Sequence, residues 1–299
     1  MRKFFARNRE PLTGALFVYP GLIFILLMIG YPVVYNFIIS FKDVDVMTVR
    51  NATHESVGLA NYLSLWNEGI LPQVMVQTFT FTFWCIVFQF AFGLLLAVFL
   101  NQDFKTAKPI RGLLLIVWVV PMTVSALIWK FMFQTNGGLI NVALTGLGLT
   151  NQPVEWLING GTAMAALIIT NCWVGIPFNM ILLTAGLQNI PEDVYESASI
   201  DGANTIQRFF RITMPMLRPA IMSVLILGVI YTFKVFDLVY IMTSGGPMNQ
   251  TELLSTYAYR LSFGEYQFSA GAAASNVLFL CLLAVAAIYL SLVRKDEVM

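Results

Sequence analysis

Charge is what this sequence has least of. Of 299 residues, 11% are charged, against roughly 25% in a soluble domain, which is too few to cover a water-facing surface. The charges nearly cancel, with 17 Lys and Arg against 16 Asp and Glu for a net of +1. That leaves no field for nucleic acid or an acidic partner. Histidine occurs once, at His54, with no Cys or His beside it, so it reads as a solvated loop residue rather than a metal ligand. The three cysteines, Cys85, Cys172 and Cys281, are odd in number and lie in apolar runs. They read as small buried hydrophobes, not as a disulfide framework or a metal site. A G-x-x-x-x-G-K-[ST] phosphate loop is also missing: "TSGGP" (Thr243–Pro247) lacks the Lys and the following helix, so the chain is not its own ATPase. There is no heptad pattern, low-complexity tract or short repeat.

Apolar length is what the chain has instead. The sequence is 58% apolar with mean hydropathy +0.75. Crossing ~30 Å of hydrocarbon as a helix takes about 20 residues, and six stretches suffice: 12–41, 74–101, 112–133, 162–187, 220–243 and 270–293. The expected class is therefore an all-α integral membrane protein with six transmembrane helices. The opening "MRKFFARNRE" has the look of a signal-peptide n-region, but the apolar stretch after it is too long and lacks a cleavage site, so it counts as a span.

Basic residues orient the spans. One side collects Arg2, Lys3, Arg7 and Arg9, then Lys105, Lys108 and Arg111, then Arg208, Arg211 and Arg218, then Arg294 and Lys295. The other holds only Lys42, Arg50 and Arg260, while Lys130 and Lys234 fall within spans. Both termini are expected in the cytoplasm: a segment 1–11, a membrane domain 12–293 and a tail 294–299. Among the outer loops, Val57–Trp66 has helical spacing and Asn136–Leu149 suits a short helix at the rim.

A polar cytoplasmic segment, about 188–219, interrupts this pattern. Asn189-Ile190-Pro191-Glu192 reads as a helix start with a capping box, and Glu192 and Asp193 suit the positive end of a helix dipole. The helix should reach about Asp201 and stop at Gly202, the residue best suited to left-handed backbone. A second short helix, about Thr205 to Arg211, should end before Pro215. The two make a compact knob, and small Ala198 and Ala203 beside its turn allow close approach of another surface.

Glu196-Ser197-Ala198, then Asp201-Gly202-Ala203, then Ile212-Thr213-Met214-Pro215 resembles the EAA loop of bacterial ABC-importer permeases, E-A-A, three residues, G, nine residues, I-x-L-P. Ser197 stands for Ala and Met214 for Leu, both near-isosteric. The resemblance implies a type I ABC-importer permease fold in a bacterial inner membrane. It also implies that Glu196, Ser197, Ala198, Asp201, Gly202, Ala203, Ile212 and Pro215 dock into a separate ATPase subunit, which alone uses ATP and Mg; this chain would bind no cofactor and make no covalent bonds. "VGLANY" (Val57–Tyr62), "WVGIPF" (Trp173–Phe178), "FKVFDLVYIMTSGGP" (Phe233–Pro247) and "YAYRLSF" (Tyr257–Phe263) resemble the carbohydrate branch, specifically the maltose-permease-like member of heterodimeric pairs. Implied partners are a second six-span permease, two ATPase subunits, an extracytoplasmic solute-binding protein, a sugar and membrane lipid, working by alternating access.

By the same resemblance, a substrate cavity would draw on Trp118 and Met122, on Val174, Gly175 and Phe178, and on Leu227, Ile230, Tyr231 and Lys234. Asn179 or Tyr231 would supply hydroxyl partners. Gly175 and Pro177 are expected to break the fourth span, bracketed by Trp173 and Phe178, each of which is either a sugar-stacking face or packing. Lys234 and Asp237, three residues apart in the fifth span, should share one helical face. Intramembrane charge is costly: either the pair neutralises itself and fixes packing, or one or both line the pathway, where Lys234 would attract an acidic substituent. "GAAAS" (Gly271–Ser275) suits close helix packing. Three alternatives remain: an EAA permease for another solute such as a glycerol phosphodiester, polyamine or amino acid; an intramembrane enzyme, for which Asp237 is the single embedded acid; and a secondary transporter or channel, which the knob argues against.

Overall fold

A computed structural model describes residues 9–51, 53–102 and 104–297, with side chains from residue 17 to 291. Arg2, Lys3 and Arg7 lie outside the described residues, as do the side chains of Arg9, Arg294 and Lys295, so the charge pattern at the termini stands on sequence alone. No strand occurs among the described residues; a single bridge pairs Lys42 with Ser56. In chain order the helices are α1 (Arg9–Ile25), α2 (Tyr31–Ser40), α3 (Ala60–Asn67), α4 (Ile70–Leu100), α5 (Ala107–Val119), α6 (Met122–Met132), α7 (Leu139–Gly146), α8 (Gly160–Gln188), α9 (Glu192–Ile200), α10 (Thr205–Arg208), α11 (Met214–Met216), α12 (Arg218–Phe233), α13 (Asp237–Met242), α14 (Leu254–Tyr259) and α15 (Phe268–Glu297).

Four helical runs are long and apolar enough to span a bilayer: Phe17–Ser40, Ile70–Leu100, Gly160–Gln188 and Phe268–Ser291. Two further candidates are bent pairs, α5 with α6 at 95° and Thr205–Met216 with α12 at 64°. Six spans result if each pair counts once, but the third and fifth are not the straight helices the hydropathy suggested. Val120, before Pro121, is pushed to extended backbone (ψ 130°) because the proline ring disfavours helical geometry at the preceding residue. The fifth ends at Phe233, and residues 237–242 form the separate α13. Conversely, Pro177 sits inside an unbroken α8, so the expected break there does not occur.

The chain divides into two compact units. The smaller takes residues 1–68 and 258–277. In it, "VGLANY" works as a polar staple. Asn61 Nδ2 donates to the Ser40 and Lys42 carbonyls, and Tyr62 OH donates to Ser40 Oγ at 2.8 Å. Asn276 Nδ2 donates to Ser40 Oγ and Tyr62 OH, and Asn36 Nδ2 to Asn276 Oδ1 at 2.7 Å. In an apolar surround each of these groups needs a partner, and this network of five side chains gives each one. The small residues of "GAAAS" pack as expected: a Cβ on Gly271 would fall 1.9 Å from Ser262 Oγ.

The larger unit takes residues 69–257 and 278–299 and is built on the pairing of α4 with α8. Glycines let these backbones close up; a Cβ on Gly93 would lie 2.7 Å from Asn179 Cβ. One apolar cluster gathers Phe81, Cys85, Leu167, Cys172, Leu238 and Leu253, and another Ala97, Leu100, Met180, Leu183, Leu187 and Leu217. Cys85 and Cys172 are buried free thiols, and Cys281 is half-buried.

Candidate functional site

Two places carry the candidate residues, a knob at one end of the larger unit and a cavity between its helices. In the knob, α9 carries Glu192 and Asp193 in its first turn. Its start is nevertheless Pro191 with no side-chain cap, so the capping box expected at Asn189 is absent. The box lies fifteen residues later: Asn204 Oδ1 accepts from Gln207 N at 2.8 Å while Gln207 Oε1 accepts from Asn204 N at 2.9 Å.

Between the two helices Gly202 takes φ +76°. Gly202 N donates to the Ser199 carbonyl and Ala203 N to that of Ala198, the paired bonds of a left-handed helix stop. The chain then runs helically from Thr205 to Met216 through a π turn at Phe209–Thr213, straight past Pro215 rather than ending before it. A π turn bonds residues five apart, and Met214 N duly reaches Phe209 O. Tyr195 OH bonds Thr213 Oγ1 at 2.9 Å, and Arg208 donates to Ser199 Oγ at 2.9 Å, tying α9 to the turn.

Of the expected coupling residues, Glu196, Ser197, Asp201, Gly202 and Pro215 are exposed, and Ala198, Ala203 and Ile212 are half-buried. Three apolar neighbours that sequence reasoning passed over stand out further. Ile200 is 87% exposed, Ile206 70% and Phe210 65%.

The cavity holds about 330 Å³. The α5–α6 break brings Trp118, Val120 and Met122 to it; α8 adds Asn171, Val174, Gly175, Phe178 and Asn179; α12 adds Gly228, Tyr231 and Thr232; and α4 adds Gln89. Seven of the expected residues thus meet here: Trp118, Met122, Val174, Gly175, Phe178, Asn179 and Tyr231. Trp118 stacks on Phe178 with centroids 5.4 Å apart, and Phe178 meets Tyr231 edge-on at 6.2 Å. Leu227 and Ile230 do not line it; Gly228 and Thr232 do, a register one or two residues further along α12.

Lys234 and Asp237 also lie outside the lining. They cannot share a helical face, because α12 stops at Phe233 and Asp237 opens α13. Both are exposed, and no ion pair joins them among the described residues. Lys234 Nζ sits 5.4 Å from the centroid of the Tyr231 ring. Trp173 belongs to a different, apolar hollow, where it meets Trp129 edge-on at 5.8 Å.

Gln89, Asn171 and Thr232 were missed as lining residues. A signal for the first two existed, since amides are rare in apolar helices and favour the protein interior or a wet cavity. Gln89 Nε2 donates to the Asn171 carbonyl at 3.1 Å, and Gly175 makes room for it: a Cβ there would fall 2.5 Å from the Gln89 carboxamide carbon. No group of three or more metal-ligating side chains occurs among the described residues.

Residues 89–295 match the family described as binding-protein-dependent transport system inner membrane components. Across 96% of both chains the sequence is 36% identical to the trehalose/maltose transport system permease protein MalF of Thermococcus litoralis. It is 32% identical to the sulfoquinovosyl glycerol transport system permease protein SmoG of Agrobacterium fabrum, over 96% of this chain and 92% of that one. Among solved structures, a chain of a bacterial ABC transporter involved in the import of the acidic polysaccharide alginate superposes with TM-score 0.82 at 20% identity, over 98% and 99% of the two chains, a likeness of fold.

Proposed function

Since the chain belongs to the family of binding-protein-dependent transport inner-membrane components, and is therefore a transport subunit rather than an enzyme, we propose that its solute is a sugar or sugar derivative moved inward by alternating access. The observation that carries this is the aromatic wall of the cavity. Trp118, Phe178 and Tyr231 form one continuous set of ring contacts beside the amides of Gln89, Asn171 and Asn179. Ring faces suit the C–H faces of a pyranose and amides suit its hydroxyls. The relatives' own solutes, trehalose or maltose and sulfoquinovosyl glycerol by name, support the same class.

Half a pathway needs another half, so the partners are a second permease, two ATPase subunits beneath and a solute-binding protein above. ATP and Mg stay with the ATPase. The knob is its contact: Ile200 within Glu196–Gly202, and Ile206 and Phe210 just beyond it, would be covered on docking. Closure of the ATPase moves this lever, and coupling follows only if the contact differs between the two states. The basic-residue bias puts the knob and both termini in the cytoplasm, in a bacterial inner membrane.

Reconstitution of the chain with these partners in liposomes tests the reading. ATP-dependent accumulation of a disaccharide is expected. Accumulation of a glycerol phosphodiester or an amino acid with no saccharide would overturn it.

A further inference from the structure

The sugar reading leaves open how the cavity recognises its solute and whether that solute is charged. Buried threonines of the long helices return their hydroxyls to the carbonyl four residues back. Thr78 donates to Val74, Thr170 to Ala166 and Thr184 to Met180, at 2.7, 2.8 and 2.7 Å, the usual fate of a hydroxyl inside a helix. Thr232 on α12 does not. It is 4% exposed, its Oγ1 bonds nothing among the described residues, and it borders the cavity. The hydroxyls of Thr82 and Ser125 are unpartnered too, but they are closed off by protein; that of Thr232 is not.

Two amides on the neighbouring helices behave alike. Asn179 on α8 is 2% exposed and lines the same cavity, with Gly93 of α4 set against its Cβ. Neither end of its carboxamide makes a hydrogen bond among the described residues, and neither is closed off. Gln89 on α4, 4% exposed, has one end committed, since its Nε2 donates to the Asn171 carbonyl at 3.1 Å. A carbonyl oxygen can meet only the NH2 half of an amide, so this bond fixes which way round the head lies. Oε1 is left without a protein partner and open to the cavity that Gln89 lines.

These groups set different demands on a solute. The Thr232 hydroxyl and the Asn179 amide each donate and accept, whereas Gln89 Oε1 only accepts. Saccharide hydroxyls, which give and take hydrogen bonds, answer all three. A carboxylate has no proton for Gln89. It would also enter a lining that contains no Lys, Arg or His, and an uncompensated ion away from water is costly. We propose that Gln89, Asn179 and Thr232 are specificity-determining residues of the cavity, that Gln89 demands an O–H from the solute, and that the solute is a neutral saccharide. This rests on the sugar reading above and narrows it from sugars and their derivatives to uncharged ones.

The test is equilibrium binding to the permease–ATPase assembly in nanodiscs, without the solute-binding protein, so that its own selectivity does not enter. Ligand-observed NMR reads even weak affinities. The probes are trehalose, maltose and trehalose diuronic acid, in which both primary hydroxyls are carboxylates. The wild type should bind the better neutral sugar at least about tenfold more tightly than the acid. Thr232→Val and Asn179→Leu keep the shape and remove the polarity. Each should weaken neutral-sugar binding about three- to tenfold, the scale of one lost neutral hydrogen bond. Gln89→Met should do the same and, by removing the demand for a donor, narrow the gap between neutral and acidic probes. Thermal unfolding separates recognition from packing. Gln89→Met loses a bond within the protein and should lower the Tm, while Thr232→Val and Asn179→Leu lose none and should leave it unchanged or raise it. Equal or tighter wild-type binding of the acid overturns this site and leaves the sugar reading standing. So does unchanged neutral-sugar affinity in the Thr232 and Asn179 variants, whatever their Tm. Binding of none of the three probes overturns both.

Discussion

The knob and the cavity solve opposite problems. In the knob, polar groups are satisfied within some twenty residues of chain. Asn204 and Gln207 cap each other, Gly202 and Ala203 close the α9 end, and Tyr195 holds Thr213, leaving the apolar Ile200, Ile206 and Phe210 turned outward. In the cavity the aromatic rings are partnered with each other, and the Gln89 amide donates to the Asn171 carbonyl. A surface that must grip another protein exposes apolar area, because burying it supplies affinity without fine alignment. A chamber that must receive and release a solute offers ring faces inward instead, and at about 330 Å³ it falls at the small end of ligand pockets, roughly 300–1,000 Å³.

Four experiments would sharpen or break this contrast. The largest effect is expected from Ile206→Asp with Phe210→Asp. Losing two apolar anchors worth about 1.5–3 kcal/mol each when fully buried should weaken co-purification of the ATPase at least about 100-fold, with membrane insertion unchanged. Retained co-purification would mean the exposed face meets nothing. Next is Gly175→Val. Its Cβ would collide with the Gln89 carboxamide, and overpacking of this kind costs about 1–3 kcal/mol. Uptake should fall roughly tenfold or more with ATPase attachment intact, and Gln89→Ala in the same chain should restore part of it; no rescue would separate Gly175 from Gln89.

Third, Gly202→Val forces a β-branched residue to φ +76° although its Cβ would meet nothing. The cost is backbone alone, about 1–2 kcal/mol, seen as about tenfold weaker coupled uptake. Gly202→Asn, which enters this conformation readily, should stay near wild type.

The smallest effect concerns the Asp45 turn, in the smaller unit. Backbone and side-chain hydrogen bonds from Thr48 hold the Asp45 carboxyl below its ordinary 3.8. A lowered folded-state value means the stabilisation is complete above the ordinary value and is lost as pH falls through the lowered one. Amide exchange at Met47 and Thr48 should quicken only below about pH 4, and Asp45→Asn should remove that dependence while uptake stays unchanged.

Legibility differed between the regions for a physical reason. The knob was readable because its logic is local: a left-handed stop needs Gly, and its stop and cap bonds join residues three to five apart. Even so, the cap was placed at Asn189 rather than Asn204, since Asn-x-x-Glu and Asn-x-x-Gln are equally good patterns and only the backbone decides between them. For the cavity, Trp118, Phe178 and Tyr231 were placed by the family resemblance, and the structure brings their rings together. The lining was misread along α12, where Gly228 and Thr232 replace Leu227 and Ile230. The two prolines are more instructive still. Pro121 bends its span by 95° and Pro177 leaves its helix whole, although both sit in apolar runs. Pro177 is buried, with α8 packed against α4 on both sides of it, and those contacts hold the helix together across the missing N–H.

Lys234 and Asp237 show the same limit. Three residues apart on an unbroken helix they would pair; on either side of a helix stop they do not. Composition and periodicity by themselves determined that this chain lives in lipid, how many times it can cross, and that one polar elbow interrupts the apolar runs, because each of these follows from transfer energies and bonds between near neighbours. Which helices break and which residues line the cavity were decided only in the tertiary structure, where contacts far apart in the chain choose among backbones that local energetics leave nearly equal.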